Sequence, residues 1–321
     1  MKKKKTERIF TPVNNVREFL DVVKSHGDKR LYRWLEGNEY KSNTYNEFYE
    51  LIINIAKGYR AAGLAGKRIA VIGETSVEWV ASYVATLAVG GVVIPMDKEL
   101  DVTAIEGFLE TAEAEAIVYS KAFNAKLAPL ADTHPTIKKL ISMDASVEQT
   151  EKIISLAALI DNGKDEEPEI SSRPTDELAV MLFTSGTTGT SKCVMLCERN
   201  VWSTVNSACA TVEFFHDDTI VSVLPLHHTY ELACMLAALT YGMEIGINDS
   251  LRHIMKNFAE FKPTGLVLVP LFVNTMYKKI WETAKKTGKE KVLKNALKVS
   301  AASRKIGIDL RPVLFKDVIK A

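Results

Sequence analysis

Apolar residues recur at helical spacing across residues 14–27, where Val16, Phe19, Leu20, Val22 and Val23 share a side and Gly27 closes the run. Residues 31–35 and 39–41 flank Gly37-Asn38 and predict a hairpin. Thr44 and Glu47 stand at capping-box spacing ahead of a helix that extends to about Ala62, with Gly63 after it. From Lys67 the two periods alternate: strand 68–72, helix 76–89 with Thr75 and Glu78 at capping-box spacing, strand 92–94, helix 102–111, strand 116–119. Residues 137–143 read as a strand, 151–160 as a helix, and 162–175 as an acidic surface loop. The apolar run 178–183 reads as a buried strand. Beyond it the pattern predicts helix 198–210, strand 220–224, helix 228–241, strand 244–247, helix 251–261, strand 266–269 and a helix to about residue 283. Residues 285–294 are basic and read as a solvated helix or turn. Alternation of this length means βαβ units, so the fold class is α/β, with mainly parallel sheets and flanking helices.

One segment raises the question of a membrane. Residues 79–96 carry no charge over 18 positions, near the lower limit for a spanning helix. Gly90-Gly91 and Pro95 divide the segment, which favours a buried helix followed by a short strand. Residues 1–13 form a basic tail opening MKKKKTER, and the absence of an apolar run after those lysines argues against a secretory signal. A solvated tail is expected, the alternative being a weak contact with lipid head groups or nucleic acid. No stable membrane insertion is expected, and the chain reads as cytoplasmic.

Over 321 residues the net charge is +1, which gives no bulk attraction to nucleic acid. Cys193, Cys197, Cys209 and Cys234 are too few and too unevenly spaced for a disulfide scaffold. Cys193 and Cys197 would share a strand face, but no second pair completes a zinc site. The partners must be sought at local sites.

The strongest local signal lies in residues 178–200, LAVMLFTSGTTGTSKCVMLCERN. The apolar strand stops at Thr184, Ser185, Gly186, Thr187, Thr188, Gly189, Thr190, Ser191 and Lys192, a set of hydroxyls and glycines ending in a cation. Backbone N–H groups and hydroxyls in such a loop suit a polyphosphate, with Lys192 adding positive charge. A Walker A loop needs glycine directly before its lysine and a helix after it. Here Ser191 precedes Lys192, and Val194, Met195 and Leu196 look like a strand, so this is a different phosphate loop.

The loop resembles the signature of the AMP-forming adenylating enzymes, the superfamily of acyl-CoA synthetases, luciferase and peptide-synthetase adenylation domains. Its form is Ser/Thr-Ser/Thr-Gly-Ser/Thr-Ser/Thr-Gly-x-Pro/Ser-Lys-Gly, matched from Thr184 to Lys192, with Cys193 in place of the last glycine. LAVGGVVIPMD, residues 87–97, resembles an early structural motif of the family, and LPLHHTYE, residues 224–231, its later histidine motif. The second is most similar to long-chain fatty acyl-CoA synthetases.

The resemblance implies ATP, Mg²⁺ and CoA as reactants and a fatty acid as the acid. It implies that Thr184, Ser185, Gly186, Thr187, Thr188, Gly189 and Lys192 hold the ATP phosphates, with Thr184 also at the metal. His228 would be catalytic with Lys192 and would stand at the mouth of the acyl site, joined by Tyr230 and Cys234, although helix packing accounts for Cys234 almost as well. Glu231 would orient His228 or favour the helix start.

Family members continue past residue 321, and residues 14–321 would be an incomplete N-terminal AMP-binding domain without the C-terminal lid domain. The chain alone is expected to bind ATP weakly and not to complete thioester formation. Two other readings remain: an adenylation domain that loads a carrier protein, and a non-catalytic interaction protein of the same descent.

Overall fold

The computed structural model describes residues 10–184, 191–250 and 252–316. Helix α1 (Val16–Ser25) begins where the Asn15 side chain accepts from the Glu18 N–H. Strands β1 (Arg30–Glu36) and β2 (Glu39–Thr44) then pair as a hairpin turning at Gly37, whose φ of +61° suits glycine. Thr44 and Glu47 close a full capping box on α2 (Tyr45–Ala61).

The alternation predicted from residue 67 follows as β3 (Arg68–Ile72), α3 (Val77–Ala88), β4 (Val92–Met96), α4 (Val102–Ala112) and β5 (Ala116–Tyr119). Short helices α5 (Asn124–Leu127) and α6 (Leu130–Thr133) lead to β6 (Lys139–Ser142), β7 (Ile153–Ser155) and α7 (Leu156–Asn162). Then come β8 (Leu178–Thr184), β9 (Lys192–Cys197), α8 (Glu198–Thr211), β10 (Thr219–Ser222), α9 (Thr229–Tyr241) and β11 (Glu244–Ile247). The described chain closes with α10 (Ile254–Phe261), β12 (Gly265–Leu266), α11 (Pro270–Lys286), α12 (Glu290–Lys305) and α13 (Arg311–Leu314).

Seven strands form one sheet in the order β7-β6-β5-β3-β4-β8-β9, and five form another in the order β12-β10-β11-β1-β2. Neighbours are parallel except in the β8–β9 and β1–β2 pairs, each at one end of its sheet. The larger sheet is covered on both faces, which explains its unbroken apolar strands. Along β3, Ile69 and Val71 join a core with α1, α2, α3, α8 and α9, while Ala70 and Ile72 join another with Ile105 and Leu109 of α4 and Leu127 and Leu130 beyond it. The first core also takes in Tyr32, Ile220 and Ile245 from the smaller sheet, so the helices between bind the two sheets together.

Residues 79–96 form the buried α3 and β4 with a turn at Gly90 between them. Among the described residues no helix is long and apolar enough to cross a membrane.

Several boundaries differ from the sequence reading, four of them with a clear physical cause. Residues 151–160 are not one helix: Ile153 and Ile154 pair with β6 as β7, and the Ser155 hydroxyl, accepting from the Ala158 N–H, starts α7. Ser76, not Thr75, caps α3 by accepting from the Trp79 N–H at 3.1 Å. The strand expected at 266–269 is only Gly265–Leu266, because Pro270 opens α11 with Val269 as its cap. Val13, assigned to the tail, is fully buried and bonded through its N–H to the Asn206 side chain.

Candidate active site

Thr184 ends β8 and Lys192 begins β9, and the two residues face each other in the antiparallel register. A strand, not a helix, therefore follows the lysine, as the Val194-Met195-Leu196 pattern predicts and unlike a Walker A loop. Both residues are exposed. Ser185, Gly186, Thr187, Thr188 and Gly189 lie outside the described residues. Cys193, where the signature has glycine, sits in the extended backbone of β9 and pairs with Phe183, so the position accepts a side chain. Phe183 in turn stacks on Phe108 of α4 with ring centroids 3.9 Å apart. Cys193 is half-buried, and that burial raises its thiol pKa above the ordinary value.

Parallel pairing of β4 and β8 places Val93 opposite Val180. Counting on along both strands brings Asp97, just after β4, to the same edge as Thr184. Asp97 is turned by its own side chain, which accepts from the Glu99 N–H at 2.9 Å. Its second oxygen lies 3.5 Å from Nε2 of His227, in the segment between β10 and α9. The early structural motif and the histidine motif thus meet through an acid and an imidazole, and that contact joins the edges of the two sheets.

His227 and His228 divide the histidine motif between two environments. The His227 side chain is only 13% exposed, and burial lowers its pKa, opposed by Asp97 and reinforced by His228. His228 is exposed at the cap of α9, with its ring 4.0 Å from that of His227. Tyr230 is 54% exposed in the first turn of the helix, and Cys234 follows half-buried, its thiol pushed up to about 11 by burial and by Glu231. Placed on one exposed stretch, His228, Tyr230 and Cys234 can line a common surface.

Glu231 faces inward. It is 2% exposed, Oε1 accepts from the Ser222 hydroxyl at 2.5 Å, and Oε2 has no hydrogen-bond partner among the described residues, so the carboxyl does not hold His228. Burial pushes its pKa up to about 7, against the pull of Ser222 and of the backbone at Val223 and Leu224. The strut from Ser222 to Glu231 instead anchors both ends of the segment that carries the histidines.

A cavity of about 390 Å³ opens behind His227, lined by Trp34, Glu74, Thr75, Lys98, Asn248 and Asp249 among others. It includes neither Thr184 nor Lys192. Its carboxylates Glu74, Glu78 and Asp249 outnumber Lys98, which disfavours a polyphosphate there.

Sequence reasoning missed a further buried group. Arg173, in the stretch read as an acidic surface loop, donates to the carbonyls of Gly90, Gly91 and Leu178 and pairs with Glu198 at 3.3 Å. Glu198 also accepts from the Val16 N–H and the Trp202 indole. This pair ties the approach to β8 onto β4, and its signal was a lone arginine among acids.

The family described as AMP-binding enzyme matches residues 19–314. The chain belongs to the AMP-binding enzyme family. Among curated members, long-chain-fatty-acid–CoA ligase 1 from Homo sapiens is 30% identical over 270 residues, 79% of this chain and 38% of that protein. The chloroplastic long-chain-fatty-acid–acyl-carrier-protein ligase from Arabidopsis thaliana is 27% identical over 280 residues, 81% of this chain and 38% of the other. This AMP-binding chain thus spans about two-fifths of the length of these relatives.

Solved structures agree on the fold. The adenylation domain of a carboxylate reductase from Mycobacterium chelonae has a TM-score of 0.77 at 19% identity, covering 85% of this chain and 48% of that one. A didomain of carboxylic acid reductase from Segniliparus rugosus, in complex with AMP, has a TM-score of 0.74 at 17% identity, covering 89% and 46%.

Proposed function

We propose that this chain is the polyphosphate- and acyl-binding part of an AMP-forming long-chain fatty acid–CoA ligase. The observation that carries the reading is the shared edge where the Thr184 and Lys192 ends of the loop, Asp97 and the His227-His228 segment come together. In this reaction a carboxylate oxygen attacks the α-phosphorus of ATP, the bond to the β-phosphate bridge breaks, and pyrophosphate leaves. The thiolate of CoA then attacks the acyl carbon, and AMP leaves with its electron pair on phosphate oxygen.

Charge accumulates on the β- and γ-phosphates in the first step. By composition residues 184–192 offer those oxygens N–H groups, hydroxyls and the Lys192 ammonium. Among the described residues there is no cluster of three or more His, Cys, Asp or Glu that suits a metal. The Thr184 hydroxyl, a hard oxygen donor, would hold Mg²⁺ beside the phosphates. Magnesium supplies charge neutralisation on the phosphates. His228 presents an imidazole to the reacting carboxylate, while Tyr230 and Cys234 border the acyl chain.

Fatty acid as substrate class is supported by the LPLHHTYE segment and by the names of the relatives. Free CoA is the acceptor in this reading, and a carrier protein is the alternative that one relative's name favours. A cytoplasmic location fits this reading, and the basic opening MKKKKTER reads as a solvated tail.

A non-reactive sulfamate analogue of palmitoyl-adenylate tests the reading. It is expected to bind the chain and to be displaced by ATP and by palmitate in calorimetric competition. No binding, or binding that neither reactant displaces, overturns it.

A further inference from the structure

His228 is exposed at the start of α9, and its side chain makes no capping hydrogen bond. What touches its ring is the ring of His227, at 4.0 Å and tilted by 46°. His227 is by contrast enclosed, with its Nε2 within ion-pair range of Asp97. Asp97 is itself fixed, since its Oδ1 accepts from the Glu99 N–H and its carbonyl from the Leu100 N–H. A rigid turn after β4 therefore holds one imidazole, and that imidazole backs the other. We propose that His227 is a positioning residue: clasped to Asp97, it sets the ring orientation of His228 at the edge where the two sheets meet. The proposal rests on the reading of His228 as an acyl-side residue.

The arrangement explains why two adjacent histidines are not redundant. A buried imidazole is costly to charge, yet a neighbouring carboxylate favours its protonated form. Asp97 and His228 lie against His227, and Glu74 and Glu78 around the start of α3, Lys98 after β4 and Asp249 after β11 line the same cavity. Of these, Asp97 is the carboxylate in ion-pair range. Removing its charge leaves burial and His228 both acting to keep His227 neutral.

The test is a histidine titration by NMR on the chain labelled with ¹³C-histidine, between about pH 4.5 and 8.5. The six histidine Cε1–H signals are assigned by single substitutions. His227 is expected to titrate below the ordinary histidine value, and its step is expected to appear on the His228 signal as well. Asp97→Asn should move the His227 midpoint down by about half a unit or more, and Asp97→Glu should restore most of that shift. His227→Gln should displace the His228 signal and erase the transmitted step, which a merely space-filling role would not do. An unchanged His227 midpoint in folded Asp97→Asn, or a His228 signal indifferent to His227→Gln, overturns the proposal. Should Asp97→Asn fail to fold, the His227→Gln comparison decides alone. Added palmitate separates the two readings: a His228 signal that ignores palmitate while still reporting His227 sinks the acyl-side assignment and leaves the clasp standing.

Discussion

Thr184 and Lys192 are directly opposed at the end of the β8–β9 pair, so the hydroxyl that closes one strand and the cation that opens the next share a fixed base. The larger sheet supplies that base, because β8 is held by parallel pairing to β4 and by Arg173 through the Leu178 carbonyl. The position of the Lys192 backbone is therefore set by the fold.

Glu231 makes stability depend on pH. Its carboxyl is 2% exposed and pushed up to about 7 from 4.5, so the folded chain keeps a proton that the unfolded chain releases across that window. Stability is fullest below the unfolded value, falls as pH rises through the window, and levels off above about 7. At about 1.36 kcal/mol per unit the decline is on the order of 3 kcal/mol. Glu231→Gln keeps an acceptor for Ser222 and cannot ionise, so its urea midpoint at pH 8 should exceed that of the wild type. Equal pH dependence in the two proteins would rule this out.

The Arg173–Glu198 pair predicts a large and asymmetric mutational cost. Both side chains are buried, 8% and 2% exposed, and each also bonds to backbone or to an indole. Arg173→Met or Glu198→Gln alone leaves a buried partner uncompensated and should cost about 3–5 kcal/mol in chemical denaturation. Arg173→Met combined with Glu198→Leu should cost less than the sum. Strict additivity would show that the two side chains are not coupled.

The acyl side is probed at Cys234. Cys234→Trp adds bulk on α9 one turn beyond the exposed Tyr230. It should weaken palmitate binding by about tenfold or more, the equivalent of ~1.4 kcal/mol, and leave ATP binding unchanged. Parallel loss of both ligands would mean that the substitution disturbs the fold and not the acyl surface.

Local pattern made much of the fold legible. β3, β5 and β11 carry dense β-branched runs between turn signals, and their predicted bounds coincide with the observed ones. The break at Ile153-Ile154 was not legible, because a short apolar run fits a strand or a helix until β6 is there to pair with it. Thr75 and Ser76 are equally good caps on composition, and only the backbone geometry chose between them. At the candidate site, the spacing of residues 184–192 and 224–231 is what carries the family resemblance. The contacts of Arg173 with Glu198 and of Asp97 with His227 span 25 and 130 positions, and no local period reports such pairings.

Calorimetric titration of Mg·ATP into the chain and into Lys192→Ala addresses the phosphate-loop reading most directly. A charge-assisted contact to phosphate is worth about 1.5–3 kcal/mol, so the account predicts weak binding by the wild type and a loss of about tenfold or more in the variant. Equal affinity in the two proteins, or no binding by the wild type at any attainable ATP concentration, would contradict it.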